Sequence, residues 1–253
     1  MKDAKPANTP MDSGYLKLDD GGEPFEDTTL YRSLVGALLY ISVHARPDIS
    51  ISTSILGRRV TCPTASDWAA AKRIVRYLLG TKDWKLDFTG TGGDLIGYCD
   101  ADWAGDQQSR KSTSGFCFLF GGAVVSWTSR RQSSVTLSSM EAEYMSLSEA
   151  CREAVWLGKL LCEMGSMQKT ATVIYEDNQG CISFVRSDRA TKHVETQEHF
   201  VKELCKRNEI QLVYCPTEEM AADILTKPLG TLKQRKFAEM IGMTSVPVSG
   251  DTK

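Results

Sequence analysis

The sequence predicts an α/β fold: a mixed five-stranded sheet flanked by helices and preceded by a small helical subdomain. Three observations predict it. Apolar residues recur at helical spacing from Thr28 to Gly80. After the flexible joint Gly90–Gly93 the apolar period changes from 3.6 to 2. From Ser138 onward strand and helix patterns alternate, which implies a mixed sheet covered by helices.

Residues 1–27 hold Pro, Gly, Asp and Lys with little apolar periodicity and read as a flexible lead-in. Leu30, Leu34, Leu38 and Ile41 then mark a helix that Pro47 stops after Ala45-Arg46. A second apolar segment runs from Ile49 to Val60. A third helix opens on the capping-box pattern Thr64-Ala65-Ser66-Asp67, carries Trp68, Ala71, Ile74, Val75, Leu78 and Leu79, and ends at Gly80. Residues 28–90 therefore form a helical unit with no evident chemistry, and packing or positioning is its expected role.

Residues 91–229 form the second unit. Leu95–Cys99, Gly115–Phe120 and Ala123–Trp127 read as strands, the last two joined across Gly121-Gly122, a two-residue hairpin signal. A long helix follows from about Ser138 to Met164. Then come a strand at Ala171–Tyr175, a short helix from Asn178, a helix from His193 to Arg207, a strand at Ile210–Tyr214 and a helix from Glu218 to Thr226. Residues 230–253 are expected to be a tail, weakly helical and then disordered from Thr244.

Composition excludes several classes of function. The chain has 253 residues, 25% charged and 42% hydrophobic, as in ordinary globular proteins. A formal net charge of −2 does not announce a nucleic-acid binder, although basic residues cluster at Arg110-Lys111, Arg130-Arg131, Arg186 to Lys192 and Lys202 to Arg207. The eight cysteines form no CxxC pair, so no zinc framework is expected. Met1–Pro10 is polar, with no apolar signal region, and no apolar run is long enough to span a membrane. The expected compartment is intracellular, cytoplasm or nucleus, with reduced thiols.

The chemistry is expected at carboxylates. Asp100, Asp102 and Asp106 crowd into seven positions after a short apolar strand. Like charges this close repel unless a cation joins them, and carboxylates are the natural ligands of hard divalent metals. Asp100 is favoured over Asp102 because it sits at the strand end, on the face of Ile96 and Tyr98, whereas Asp102 lies in the turn. In the long helix, Glu141 has a capping role, bonding back to the Ser138 N–H. Glu143 instead heads a stripe with Leu147, Ala150, Ala154, Leu157 and Leu161 and so faces the core, where a carboxylate needs a proton or a cation. Alternation through Val173 and Tyr175 puts Asp177 at a strand end and turns Glu176 the other way. The fourth candidate is Asp223, one turn inside the last short helix, packed by Ile224 and Leu225. Read singly, Asp177 is a helix cap and Asp223 a surface residue. Read together, four carboxylates from four segments converge, and two Mg²⁺ ions ~4 Å apart would satisfy them.

These residues resemble a known family. Tyr31-Arg32-Ser33-Leu34-Val35-Gly36, Ala45-Arg46-Pro47-Asp48, Ala70 to Leu78, Asp100-Ala101-Asp102-Trp103-Ala104-Gly105-Asp106, Leu137 to Tyr144, Asp177-Asn178-Gln179, Thr191-Lys192-His193 and Ala222-Asp223-Ile224-Leu225-Thr226-Lys227-Pro228-Leu229 are similar in order and spacing to the C-terminal part of a copia-type retrotransposon Pol polyprotein. The resemblance implies a reverse transcriptase tail or connection over 28–90, then a ribonuclease H-like domain. It implies Asp100, Glu143, Asp177 and Asp223 as catalytic metal ligands, two Mg²⁺ ions with Mn²⁺ as a substitute, and an RNA–DNA hybrid as substrate. The polymerase's Tyr-x-Asp-Asp turn has no match, and a polymerase domain in trans is a candidate partner. Arg130 and Arg131, between the third strand and the long helix, are candidate phosphate contacts. The loop Pro216-Thr217-Glu218-Glu219 lacks the histidine that many ribonucleases H carry there, and His193 and His199 are expected on a helix, in structural roles. Two rival readings are a catalytically silent remnant that binds nucleic acid or protein, and an integrase core. The Asp223-Ile224-Leu225-Thr226-Lys227 ending and the upstream helices disfavour the latter.

Overall fold

The computed structural model describes residues 4–17, 22–90, 93–166, 168, 170–187 and 195–245. The helical unit is built from α1 (Thr28–His44), a 3-10 turn at Pro47–Ile49, α2 (Ser50–Gly57) and α3 (Ala65–Gly80). Asp27 caps α1 by accepting from the Leu30 N–H at 2.8 Å. The capping box of α3 is present, with Thr64 and Asp67 bonding to each other's backbone N–H. Tyr31, Val35, Leu38, Ile49, Leu56, Ile74 and Tyr77 form its core. Each fully buried large apolar side chain contributes about 1.5–3 kcal/mol.

The lead-in, expected to be flexible, packs on this unit where it is described. Met11 is buried in the helical core, Arg73 donates to the Thr9 carbonyl, Arg76 donates to the Lys5 carbonyl, and Tyr15 bonds Asp67. Those partners lie more than fifty residues away, so local periodicity carried no sign of them.

Beyond the short strand β1 (Trp84–Leu86), the sheet unit begins with β2 (Ile96–Asp102), β3 (Thr113–Phe120) and β4 (Ala123–Arg131), an antiparallel meander. The hairpin turn is Gly121-Gly122 as expected, with φ of +64° and +93°, values that glycine adopts at no steric cost. After α4 (Ser139–Glu163) come β5 (Thr172–Glu176), α5 (Gln179–Arg186), α6 (Glu195–Lys206) and β6 (Ile210–Tyr214). Strand order is β4-β3-β2-β5-β6, with β5 parallel to both β2 and β6, so the five-stranded sheet is mixed. Thr191-Lys192-His193 lies outside the described residues. His199 is on α6 and exposed.

Helices cover both faces. On one, Leu147, Ala150, Ala154 and Leu157 of α4 pack with Phe116, Phe118 and Ile174. On the other lie α7 (Asp223–Thr226) and α8 (Thr231–Met240), whose Ile224, Leu225 and Phe237 pack on Cys117 and Val124. Residues 231–245 are therefore integral to the fold, where a weakly helical tail was expected. Its last strand, β7 (Met243–Ser245), pairs antiparallel with β1 in a second, two-stranded sheet. Strands of three residues carry too little alternation to be read from sequence. Among the described residues no helix is long and apolar enough to cross a membrane.

Candidate metal centre

Register brings the first two carboxylates together. Tyr98 of β2 and Tyr175 of β5 are register partners, and their rings stack 4.9 Å apart. Two residues further along each chain, on the same face, are Asp100 and Asp177. Asp100 lies two residues inside the C-terminal end of β2, which runs on through Asp102 rather than turning before it, and Asp177 directly follows the adjacent parallel β5. Glu143 arrives from the opposite face, from the first turns of α4. That helix start is clamped: Gln132 donates to the Ala142 carbonyl at 2.9 Å, and Ser146 donates to the Asp100 carbonyl at 2.8 Å. Asp100, Glu143 and Asp177 each offer an oxygen within 4.8 Å of the others.

Asp223 comes from the Tyr98 side of the sheet. It is fully buried as the first residue of the four-residue α7, not one turn inside a longer helix, because Glu218 belongs to a separate 3-10 turn, Thr217–Glu219. Close approach of α7 to β3 depends on Gly115, where any Cβ would lie 2.6 Å from Thr226 Cγ2. That approach lets the Thr226 hydroxyl donate to Asp100 Oδ2. One turn of chain after Asp223, the Lys227 ammonium lies 2.7 Å from Asp223 Oδ1 and 3.6 Å from Asp100 Oδ2.

The electrostatics are those of too many acids in too little water. Burial first, then Glu176, Asp100 and Asp177, push Glu143 far above the usual carboxylate range. Its Oε2 is buried and accepts no hydrogen bond. Burial and Asp100 raise Asp223 to about 7. Burial and Asp100 also raise Asp177, against a 2.8 Å hydrogen bond from Thr217. An all-oxygen set of crowded carboxylates, one with an orphaned oxygen, fits a hard divalent cation.

Three residues of the site were given no role by sequence reasoning. Glu176 does turn to the face opposite Asp177, as alternation requires. That face is where Glu143 enters, so Glu176 lies buried beside it, accepting from the Asn178 N–H at 3.0 Å and the Cys99 thiol at 3.2 Å. Thr226 and Lys227 are the others; their spacing of three and four from Asp223 was the available signal. Asp102, ranked behind Asp100, is half-buried nearby, and burial raises it to about 6. Two capping assignments also shift by one residue. Asn178, not Asp177, caps α5, accepting from the Cys181 N–H. Glu141 accepts from the Leu137 N–H at 2.7 Å, not from that of Ser138, and so makes no reciprocal capping box.

Arg130 and Arg131 are the last two residues of β4, not part of the following turn, and both are exposed. They pair across β3 with the level of Ala101 and Asp102, two strands or about 10 Å from the carboxylates. Arg131 donates to Asp106 at 3.1 Å, and Arg58 from the end of α2 reaches the same carboxylate at 3.8 Å. The helical unit thus helps hold the loop beside the site. Burial pushes the Arg58 guanidinium down to about 10.

The chain is 38% identical over 258 residues to the retrovirus-related Pol polyprotein from transposon TNT 1-94 of Nicotiana tabacum, matching 97% of this chain and 19% of that protein. It is 38% identical over 255 residues to the Pol polyprotein from transposon RE1 of Arabidopsis thaliana, matching 98% and 17%. It belongs to the copia-type Pol family. The chain spans about a fifth of the length of these Pol relatives. It is also 50% identical over 128 residues to secreted RxLR effector protein 161 of Plasmopara viticola, covering 50% of this chain and 90% of that one. No family model matches. Among solved structures, the foamy viral protease-reverse transcriptase in complex with dsDNA aligns over 81% of this chain and 41% of its own, with TM-score 0.51 and 10% identity. LC11-RNase H1 in complex with RNA/DNA hybrid aligns over 53% and 94%, with TM-score 0.41 and 14% identity. In this copia-type chain the five-stranded mixed sheet carries helices on both faces, and Asp100, Glu143 and Asp177 at its end are spaced closely enough to hold a metal ion.

Proposed function

We propose that this chain is a ribonuclease H-type endonuclease that hydrolyses the RNA strand of RNA–DNA hybrids with two bound Mg²⁺ ions, or Mn²⁺ in their place. The observation that carries this reading is the meeting of Asp100, Glu143 and Asp177 within 4.8 Å, with Asp223 tied to Asp100 through Lys227. Asp100, Glu143, Asp177 and Asp223 would hold the metal. Bound there, the ions would activate a water and stabilise the leaving 3′-oxygen. The products would be a 3′-hydroxyl and a 5′-phosphate.

The remaining parts have supporting roles. Thr226 fixes one Asp100 oxygen, and Thr217 fixes one Asp177 oxygen, so neither carboxylate swings freely. Arg130 and Arg131 would contact backbone phosphates, which position a duplex without reading its bases. Choice of RNA over DNA would rest on 2′-hydroxyls in the wide minor groove. The loop Pro216–Glu219 borders Asp177 and offers Glu218 and Glu219, but no histidine, for proton transfer. Residues 28–90 read as the tail of a reverse transcriptase, and a polymerase domain is the partner this unit would meet. The setting is intracellular, cytoplasm or nucleus.

The test is cleavage of a labelled RNA–DNA hybrid by the purified chain with Mg²⁺, with EDTA and Asp100→Asn as controls. Metal-dependent loss of the RNA strand, absent in the variant, is the expected result. A second reading is a catalytically silent remnant that binds nucleic acid or protein; the relative matched over 128 residues, named an effector and not a Pol polyprotein, keeps it in view. Hybrid binding by folded protein without cleavage would select it.

A further inference from the structure

Five carboxylates crowd the end of the sheet: Asp100, Glu143, Glu176, Asp177 and Asp223. Among the described residues, Lys227 is the cation that meets them directly. Its ammonium sits between Asp223 Oδ1 at 2.7 Å and Asp100 Oδ2 at 3.6 Å. Held between two carboxylates, the ammonium is favoured in its charged form. Asp100 and Asp223 are buried, whereas Lys227 is one-third exposed and carries a four-carbon stem that can turn. Beside it opens a cavity of about 450 Å³ lined by Asp102, Gln107, Arg110, Asp223, Gly230 and Lys233. Asp102 faces that cavity, and its charge already acts on Lys227.

We propose that Lys227 is a tethered cation that holds the Asp100–Asp223 half of the centre together in the metal-free protein and yields that position to a divalent ion, moving towards Asp102. This rests on the metal-centre reading above. The physical grounds are competition and room. An ion that ligates Asp223 Oδ1 or Asp100 Oδ2 takes the oxygen the ammonium now meets, and its double charge outcompetes the single one, so the ammonium is expelled. Only Lys227 can leave cheaply, because its carboxylate partners are fixed by the sheet, by α7 and by the Thr226 hydroxyl. Lys227 is thus a positioning residue. It keeps the carboxylates preorganised, and it makes metal affinity weaker than the bare acid cluster would give.

The experiment compares the wild-type chain with Lys227→Met, Lys227→Arg and Asp102→Asn. Mn²⁺ affinity is read by titration calorimetry, and Tm is read in EDTA and in saturating Mg²⁺. Lys227→Met should bind Mn²⁺ about tenfold more tightly, because the competitor is gone. The same variant should melt lower than wild type in EDTA and level with it in saturating Mg²⁺. Lys227→Arg should keep the wild-type Tm in EDTA. Asp102→Asn should bind Mn²⁺ more weakly, since the displaced ammonium loses its new partner. Equal affinity of wild type and Lys227→Met would overturn the competition alone. No Mn²⁺ binding by either would overturn the metal centre and the competition with it. A Tm deficit that persists in saturating Mg²⁺ would make Lys227 merely a structural ion pair.

Discussion

The helical unit and the sheet unit each bury acids, and they treat them in opposite ways. In the helical unit Asp48 is fully buried and fully answered. It takes two hydrogen bonds from the Arg46 guanidinium, at 2.9 and 2.8 Å, and one from the Tyr77 hydroxyl at 2.7 Å. Asp67 is likewise met by the Thr64 N–H, the Thr64 hydroxyl and Tyr15. At the sheet end, among the described residues, five carboxylates crowd together and one ammonium meets two of them, and Glu143 keeps an oxygen with no donor. A saturated buried acid is a structural fastening. An unsaturated cluster is costly, and it is retained where a ligand completes it.

The same substitution made in both units should break this comparison open. Asp177→Asn removes one repelling charge from the crowded site. Cleavage of an RNA–DNA hybrid should fall by about a thousandfold or more, with hybrid affinity, read by fluorescence anisotropy, equal to wild type or tighter. The Tm in EDTA should hold or rise. Unchanged turnover would remove Asp177 from the site. Asp48→Asn should do the reverse: it strands a buried guanidinium, at a cost of about 3–5 kcal/mol. Denaturant titration should show that loss, while cleavage by the fraction that remains folded is unaffected.

A pH series sharpens the contrast. Asp223 is raised from 3.8 to about 7 by burial and Asp100, and Glu143, Glu176 and Asp177 are raised with it. A raised carboxyl contributes stability that is fully present below its unfolded pKa and lost as pH climbs through the folded one. In EDTA the Tm should therefore fall from about pH 5 to about pH 8. Saturating Mg²⁺ should flatten that slope, because the ions take over neutralisation. A Tm independent of pH in EDTA would mean that the cluster is not strained. The smallest effect is expected at Glu141→Ala, which removes only the bond to the Leu137 N–H: about 1 kcal/mol in denaturant melts, with cleavage intact. Loss of cleavage at unchanged Tm would instead put Glu141, not Glu143, at the metal.

Much of this was legible in the sequence because it is local. The α3 capping box, the Gly121-Gly122 hairpin and the α4 stripe from Leu147 to Leu157 are all written in spacings of two, three or four residues. Glu143 could be singled out because it heads that stripe. What stayed hidden has long-range causes. Glu176 was set aside for pointing away from Asp177, yet the site is assembled from both faces of the sheet end. Thr226 and Lys227 gained roles only when Gly115 let α7 settle on β3. The seating of Met11 and the pairing of β1 with β7 join segments too distant for any periodicity to couple.

The β1–β7 pairing has a consequence in time. A chain emerges from the ribosome N-terminus first, so Trp84–Leu86 must wait for Met243–Ser245 before it can pair. Asp223 and Lys227 also come late, and α8, which ties Gln234 to the Asp48 carbonyl, comes later still. The helical unit and the meander can form early, but the acid cluster stays incomplete until that closing segment has been made. A nascent chain therefore carries an unassembled candidate metal centre until that segment has emerged.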